Sequence, residues 1–155
     1  MMKWYGLSLL VIVLDQLSKQ FAEAQLVYHK SIAVFPGFNF TLMYNEGAAF
    51  SFLSDAGGWQ RWFFTVLSVA ISIVLIVWIK RLDSDKRILA AGLALILGGA
   101  IGNVIDRILF GHVIDFIDVY YQSSHWPAFN IADSAITLGA CLLILDMFQE
   151  HKTNG

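Results

Sequence analysis

Two aspartates stand where this chain could do chemistry. Asp133 lies in Phe129-Asn130-Ile131-Ala132-Asp133-Ser134, at the mouth of an otherwise apolar stretch. From Ile131 to Phe148 the only other ionisable side chains are Asp146, at the far end, and the lone Cys141. Asp115 interrupts a second apolar run, Gly111-His112-Val113-Ile114-Asp115-Phe116. A carboxylate at apolar depth is costly unless paired, and in membrane segments such groups mark function. Two carboxylates in one partly desolvated site cannot both ionise cheaply, so the pair holds a shared proton across a working pH range. The ionised member can take a proton from water as it attacks a carbonyl, and the protonated member can donate to the carbonyl oxygen. That is aspartic-type peptide hydrolysis, which needs no metal and no covalent intermediate.

Blander roles fit the same residues. Asn130-x-x-Asp133 has the spacing of a capping box, with Asp133 bonding back to the backbone. Asp115 could be a polar residue on a loop strand. Asp15 and Lys19, at i and i+4, could be a structural ion pair, and Asp106 and Arg107 ordinary interfacial charges. His112, His125, Asp115 and Asp118 match no standard zinc spacing. Ser134 has no nucleophile-elbow context. Neither a metal nor a cofactor is expected.

The elements that must position these groups are membrane segments. Of 155 residues, 57% are hydrophobic and 14% charged, against roughly 45–50% and about 25% in soluble domains. A net charge of −2 offers no basic surface for nucleic acid. Cys141 reads as a small buried hydrophobe. We expect one integral membrane domain over 1–155, with transmembrane helices at about 4–24, 62–79, 88–109 and 130–148 and outer loops at 25–61 and 110–129. Ala22-Glu23-Ala24 mimics a signal-peptide cleavage site, but Asp15, Lys19 and Phe21 fill the space before it. Trp62–Ile79 carries no charge and as a helix spans roughly 27 Å. Ala90, Ala94, Gly98 and Gly102 recur every four residues, a stripe for close helix packing that Asp106 extends. In the first loop Phe38–Leu42 alternates as a strand does after the Pro36-Gly37 turn, and Gly47 to Ala49 are small enough for a close backbone approach. Asp55–Gly58 breaks the chain before Trp59 and Trp62, an interfacial pair. His112–Tyr120 suggests another strand.

Lys3, Lys80, Arg81, Lys86, Arg87 and Lys152 fall on one side, against Lys30, Arg61 and Arg107 on the other. The positive-inside rule then makes both termini cytoplasmic. Lys19, Asn45, Asn103, Arg107, Asp115, Asn130 and Asp133 converge near the outer face, with Asp15 somewhat deeper. A small proton-coupled transporter subunit is the competing class, but it predicts ionisable residues strung across the bilayer.

The chain resembles the signal peptidase II family of bacterial membrane aspartyl proteases. The resemblance spans nearly the whole chain. It rests on Asp15-Gln16-Leu17-Ser18-Lys19, Asn45-Glu46-Gly47-Ala48-Ala49-Phe50-Ser51, Gly102-Asn103-Val104-Ile105-Asp106-Arg107, Val113-Ile114-Asp115-Phe116 and Phe129-Asn130-Ile131-Ala132-Asp133. It implies that Asp115 and Asp133 are the catalytic dyad. It implies too that Asn45, Gly47, Asn103, Asp106, Arg107 and Asn130 contact substrate or support the dyad, while Asp15 and Lys19 hold the site's edge. The family's fold adds a small outer-face β-cradle and an amphipathic interfacial segment to four helices, roles that suit Phe38–Leu42 and the Trp59 region. The implied substrate is a prolipoprotein cut just before its diacylglyceryl-modified cysteine, met at the outer face of a bacterial inner membrane, where membrane lipid is a contact. Inhibition by the cyclic peptide globomycin is expected on the same ground.

Overall fold

The computed structural model describes residues 2–47 and 59–153. It is mainly helical, in the order α1 (Met2–Gln25), β1 (Ser31–Phe35), β2 (Phe38–Asn45), α2 (Trp59–Arg81), α3 (Arg87–Leu109), β3 (Val113–Tyr121), β4 (Ser124–His125) and α4 (Ile131–Thr153). Among the described residues, three helices are long and apolar enough to cross a membrane: Arg61–Arg81, Arg87–Leu109 and Ile131–Gln149. α2 starts earlier than residue 62 and ends later than 79, because Trp59 and the basic pair Lys80 and Arg81 extend it at both ends. Basic side chains in a last helical turn complement the dipole. Trp59 therefore belongs to a long helix. Ala48–Ser51 and the Asp55–Gly58 break, with most of the expected interfacial segment, fall outside the described residues.

α3 is the axle, packing against all three other long helices. Its glycines explain why. A Cβ on Gly98 would meet Val11 Cβ at 2.7 Å and the Ser8 carbonyl oxygen at 2.8 Å on α1. A Cβ on Gly99 would meet the Ala132 carbonyl oxygen, and Ile136 at 2.7 Å, on α4. Gly92 and Gly139 face each other across the same α3–α4 seam. The Ala90–Gly102 stripe is therefore half of the packing device. Gly92 and Gly99 form a second stripe that four-residue spacing alone does not reveal. Near the chain's start, Ser8 Oγ donates to the Ala94 carbonyl at 2.8 Å.

The bundle has two different ends. At one, Leu75, Ile79, Leu93, Ala94 and Leu97 form an apolar core, with Trp4 and Tyr5 packed on it. At the other lies a four-stranded antiparallel sheet in the order β1-β2-β3-β4. Pro36-Gly37 turns β1 into β2, with Gly37 at φ 93°, where a side chain would be strained. β2 runs on to Asn45, three residues beyond the alternating stretch. Large apolar side chains such as Leu10, Leu14, Val66, Val74 and Ile144 are exposed along the helices. Cys141 is exposed as well, contrary to the buried position expected of it.

Replacing Gly99 by Val should cost about 1–3 kcal/mol by overpacking the α3–α4 seam. Gly6→Ala should cost nothing comparable, because a Cβ there meets nothing within 4 Å. Thermal unfolding of both variants in detergent checks the contrast.

Candidate active site

The site begins with backbone pairing. Phe129 exchanges hydrogen bonds with Ile117, N–H to carbonyl at 3.1 and 2.9 Å, and its carbonyl also accepts from Phe116 N at 3.1 Å. This pins the chain two residues before α4 to the flank of β3. On the other flank β2 sets Met43 opposite Asp115 and Asn45 opposite Val113. A register shift between Phe40 and Met43 lets that pairing coexist with Asn39 opposite Asp118. Asp115 thus comes from β3 and Asp133 from the first turn of α4.

Asn130 joins them. Its side chain is wholly buried, and its Nδ2 donates to Asp115 Oδ1 at 2.7 Å and to the Ile114 carbonyl at 3.2 Å. Its Oδ1 accepts from Asp133 N at 2.9 Å, while its own N–H donates to Asp133 Oδ2 at 3.2 Å. That is the capping box, formed as the spacing allows. It occupies only one oxygen of Asp133. The other, Oδ1, accepts from Asn103 Nδ2 at 2.8 Å. Asn45 Nδ2 reaches Asp115 Oδ2 at 3.2 Å, and Asn45 Oδ1 accepts from Gly47 N at 2.9 Å. Gly47 has φ 99°, and a Cβ there would strike Phe64 at 2.6 Å, so only glycine fits.

Beneath the pair lies a buried ionic knot. Lys19, 1% exposed, sits between Asp15 and Asp106, both 0% exposed. Its Nζ is 2.7 Å from Asp15 Oδ2 and 2.9 Å from Asp106 Oδ2. Each carboxylate also holds a backbone N–H: Asp15 Oδ1 accepts from Ala132 at 2.9 Å, and Asp106 Oδ2 from Ile114 at 3.1 Å. Ala132 and Ile114 are the residues immediately before Asp133 and Asp115. Lys19 Nζ donates to Asn103 Oδ1 at 2.9 Å as well. Because an ammonium only donates, this contact turns the Asn103 amide nitrogen towards Asp133. Asp15 and Lys19 are thus an ion pair with a second acid and two backbone anchors. Asp106 is buried, not an interfacial charge.

Arg107 lies apart from these bonds. Its Nε is buried without a hydrogen-bond partner among the described residues, and its guanidinium stands 5.7 Å from the Phe64 ring. Two contributors escaped the reading of single residues. Gln16 Nε2 donates to Asp106 Oδ1 at 2.8 Å and to the Gly102 carbonyl at 3.2 Å; its neighbours Asp15 and Lys19 were the available signal. Arg61 Nε and Nη2 hold the Arg107 and Ile108 carbonyls at 2.8 and 3.0 Å, capping the end of α3 from α2.

Burial first, then the Asp133 charge, pushes the Asp115 carboxyl up from its ordinary 3.8 to about 7, against the hydrogen bonds of Asn45 and Asn130 and the Lys19 charge. A proton held there lets one acid donate while the other accepts. No cluster of three or more metal-ligating side chains occurs among the described residues.

Apolar outer faces around two carboxylates tied through one asparagine, by its side chain to Asp115 and its backbone N–H to Asp133, describe a membrane protein equipped for aspartyl chemistry. Comparison with known proteins makes this specific. The family model for signal peptidase (SPase) II matches residues 7–149. A lipoprotein signal peptidase of Pseudomonas fluorescens is 59% identical over 97% of this chain and 89% of its own length. Those of Cellvibrio japonicus and Acinetobacter baumannii are 57% and 58% identical, covering 98% and 96% of this chain and 90% and 85% of theirs. Two solved structures described as bacterial membrane enzymes superpose with TM-scores of 0.84 and 0.83 at 30% and 31% identity, covering 100% and 95% of this chain and 93% of each of theirs. The chain belongs to the signal peptidase II family and is an aspartyl-type protease of the membrane.

Lys19→Met should destabilise by about 3–5 kcal/mol, because it strands two buried acids; thermal unfolding in detergent measures this. Asp115 gives a pH signature. Between about pH 4 and 7 the folded carboxyl keeps a proton that the unfolded one releases, so stability falls as pH rises through that window. Asp115→Asn should flatten that slope and unfold at a higher temperature than the parent at about pH 8. Identical pH dependence in parent and variant would rule the shift out.

Proposed function

We propose that this chain removes signal peptides from diacylglyceryl-modified prolipoproteins, cutting just before the lipidated cysteine, with Asp115 and Asp133 as the catalytic dyad. The observation that carries the reading is Asn130 holding one oxygen of each carboxylate in a chain of this family. Asp115 carries the shared proton in the resting pair. Asp133 takes a proton from water as its oxygen attacks the scissile carbonyl carbon, while Asp115 protonates the carbonyl oxygen. The tetrahedral diol then collapses: its hydroxyl proton returns to Asp115, Asp133 passes its proton to the amide nitrogen, and the C–N bond breaks. One water is consumed and the dyad is restored.

Asn45, Asn103 and Asn130 hold the acids in place, and Gly47 lets the β2 end turn close to α2. Asp15, Asp106 and Lys19 fix the backbone before each acid. Arg107, with its unpartnered Nε, contacts the substrate. The whole chain forms one membrane domain of four spans. α1 counts as the fourth because its central charges, Asp15 and Lys19, are buried and paired while Leu9, Leu10, Val13, Leu14 and Leu17 are exposed. Basic residues cluster at the end opposite the sheet, so the termini are cytoplasmic and the sheet and site lie at the outer face of the bacterial inner membrane. There a lipidated substrate arrives sideways, and each buried methylene contributes about 0.8 kcal/mol. A proton-coupled transporter is disfavoured, since the acids gather at one end of the bundle.

Purified protein should cleave a diacylglyceryl prolipoprotein in detergent with chelator present, and globomycin should block it. Asp115→Asn and Asp133→Asn should each lower kcat by about 10²–10⁴ or more. The parent's kcat/KM should fall as pH rises through about 7, where the shared proton leaves. A folded Asn variant with near-parent activity reduces that aspartate to a cap or loop residue and sinks the mechanism.

A further inference from the structure

A second polar site lies further back along β2 from Asn45, beyond the register shift between Phe40 and Met43. Asn39 and Thr41 alternate onto one face of the strand and meet Asp118 there. At one end Asn45 bonds Asp115. At the other, Asn39 Nδ2 and Thr41 Oγ1 donate to Asp118 Oδ2 at 3.1 and 2.9 Å, and Asp118 Oδ1 stands 2.7 Å from His125 Nδ1. These groups open on a cavity of about 480 Å³ lined by Ser31, Thr41, Met43, Asp118, His125 and Trp126. Trp126 also walls a cavity of about 560 Å³ that contains Asp133. The second site borders the first: Met43 in its wall pairs with Asp115, and Trp126 lines both cavities.

The imidazole is preset. Burial would raise the Asp118 carboxyl, but the hydrogen bonds from His125, Asn39 and Thr41 outweigh it and hold the group below its ordinary value. Asp118 engages Nδ1 of the ring and leaves Nε2 as the nitrogen it does not hold. Tyr120 stacks on the ring at 5.1 Å, fixing its plane. The ring is nonetheless 52% exposed. Asp118 is satisfied within the sheet, so what the arrangement leaves over is one oriented ring nitrogen beside a cavity.

We propose that this cavity is a subsite for the polypeptide just downstream of the cut, with His125 Nε2 accepting a backbone or side-chain N–H of an extended segment. The inference rests on the function proposed above. The signal peptide returns into the bilayer, so the chain that leaves the helices and reaches the sheet is the downstream one. At roughly 3.3 Å per residue, the four-residue step from Asn45 to Thr41 spans about 13 Å. The subsite thus meets roughly the second to fourth residue after the scissile bond.

The test compares two synthetic lipopeptides, one ending as an amide at the diacylglyceryl cysteine and one continuing for four residues. The parent should favour the longer one through KM. His125→Phe, which keeps the stacking and loses Nε2, should lose roughly three- to tenfold in kcat/KM on the longer peptide, bringing the ratio between the two towards one. A parent indifferent to length, or a variant that keeps the full preference, overturns the subsite and leaves the peptidase reading standing. Failure of the parent to cut either peptide overturns both.

Discussion

Everything at the sheet end of the bundle depends on one buried ammonium. Lys19 reaches the centre of a helix bundle that would otherwise bring Asp15 and Asp106 together unpaired, a like-charge contact that low dielectric makes severe. With Lys19 between them the acids remain acceptors, and each spends an oxygen on a backbone N–H, Ala132 for one and Ile114 for the other. Such an ion triad is poor evidence for stability, since apolar replacements of similar volume can serve as well. Its value here is geometric. It ties α1 and α3 to the residues that precede Asp115 and Asp133, and through Asn103 it sets which way an amide faces.

Much of this could be read in the chain. Acids and amides placed at the same level of four apolar stretches have few reasons to be there, and the capping-box spacing at Asn130 and Asp133 is realised. The cap and the proposed catalytic role do not compete. A carboxylate has two oxygens, and the cap takes Oδ2 while Asn103 takes Oδ1. Local pattern could not decide between the readings because both are true of different atoms.

What stayed illegible depended on contacts between elements. β1 is exposed throughout and owes its form to pairing with β2, so Ser31–Phe35 shows no half-buried alternation. Gly92 and Gly99 sit seven apart, a two-turn spacing that a search at every fourth residue passes over. Cys141 was expected inside because it sits in an apolar helix and packs as a small hydrophobe. In a bundle whose outer faces are apolar, hydropathy does not distinguish inside from outside. Gln16 and Arg61 act on carbonyls of α3, which no side-chain pattern announces.

The two acids sit in different surroundings. Asp115 is 2% exposed on a strand covered by β2 and by the α4 entry, and burial weighs most in raising it. Asp133 is half-buried in the first turn of a helix, where the Asn130 N–H and Asn103 Nδ2 each hold one of its oxygens. The asymmetry of the two sites is built into a strand meeting a helix N-terminus. The same geometry explains the three asparagines. A carboxamide is neutral at every pH, so Asn45, Asn103 and Asn130 can brace both acids without adding a charge that would level them. An arginine or lysine in direct contact would lower both acids together and remove the difference on which acid–base exchange depends. The nearest lysine instead spends its charge on Asp15 and Asp106, and an amide stands between it and the pair.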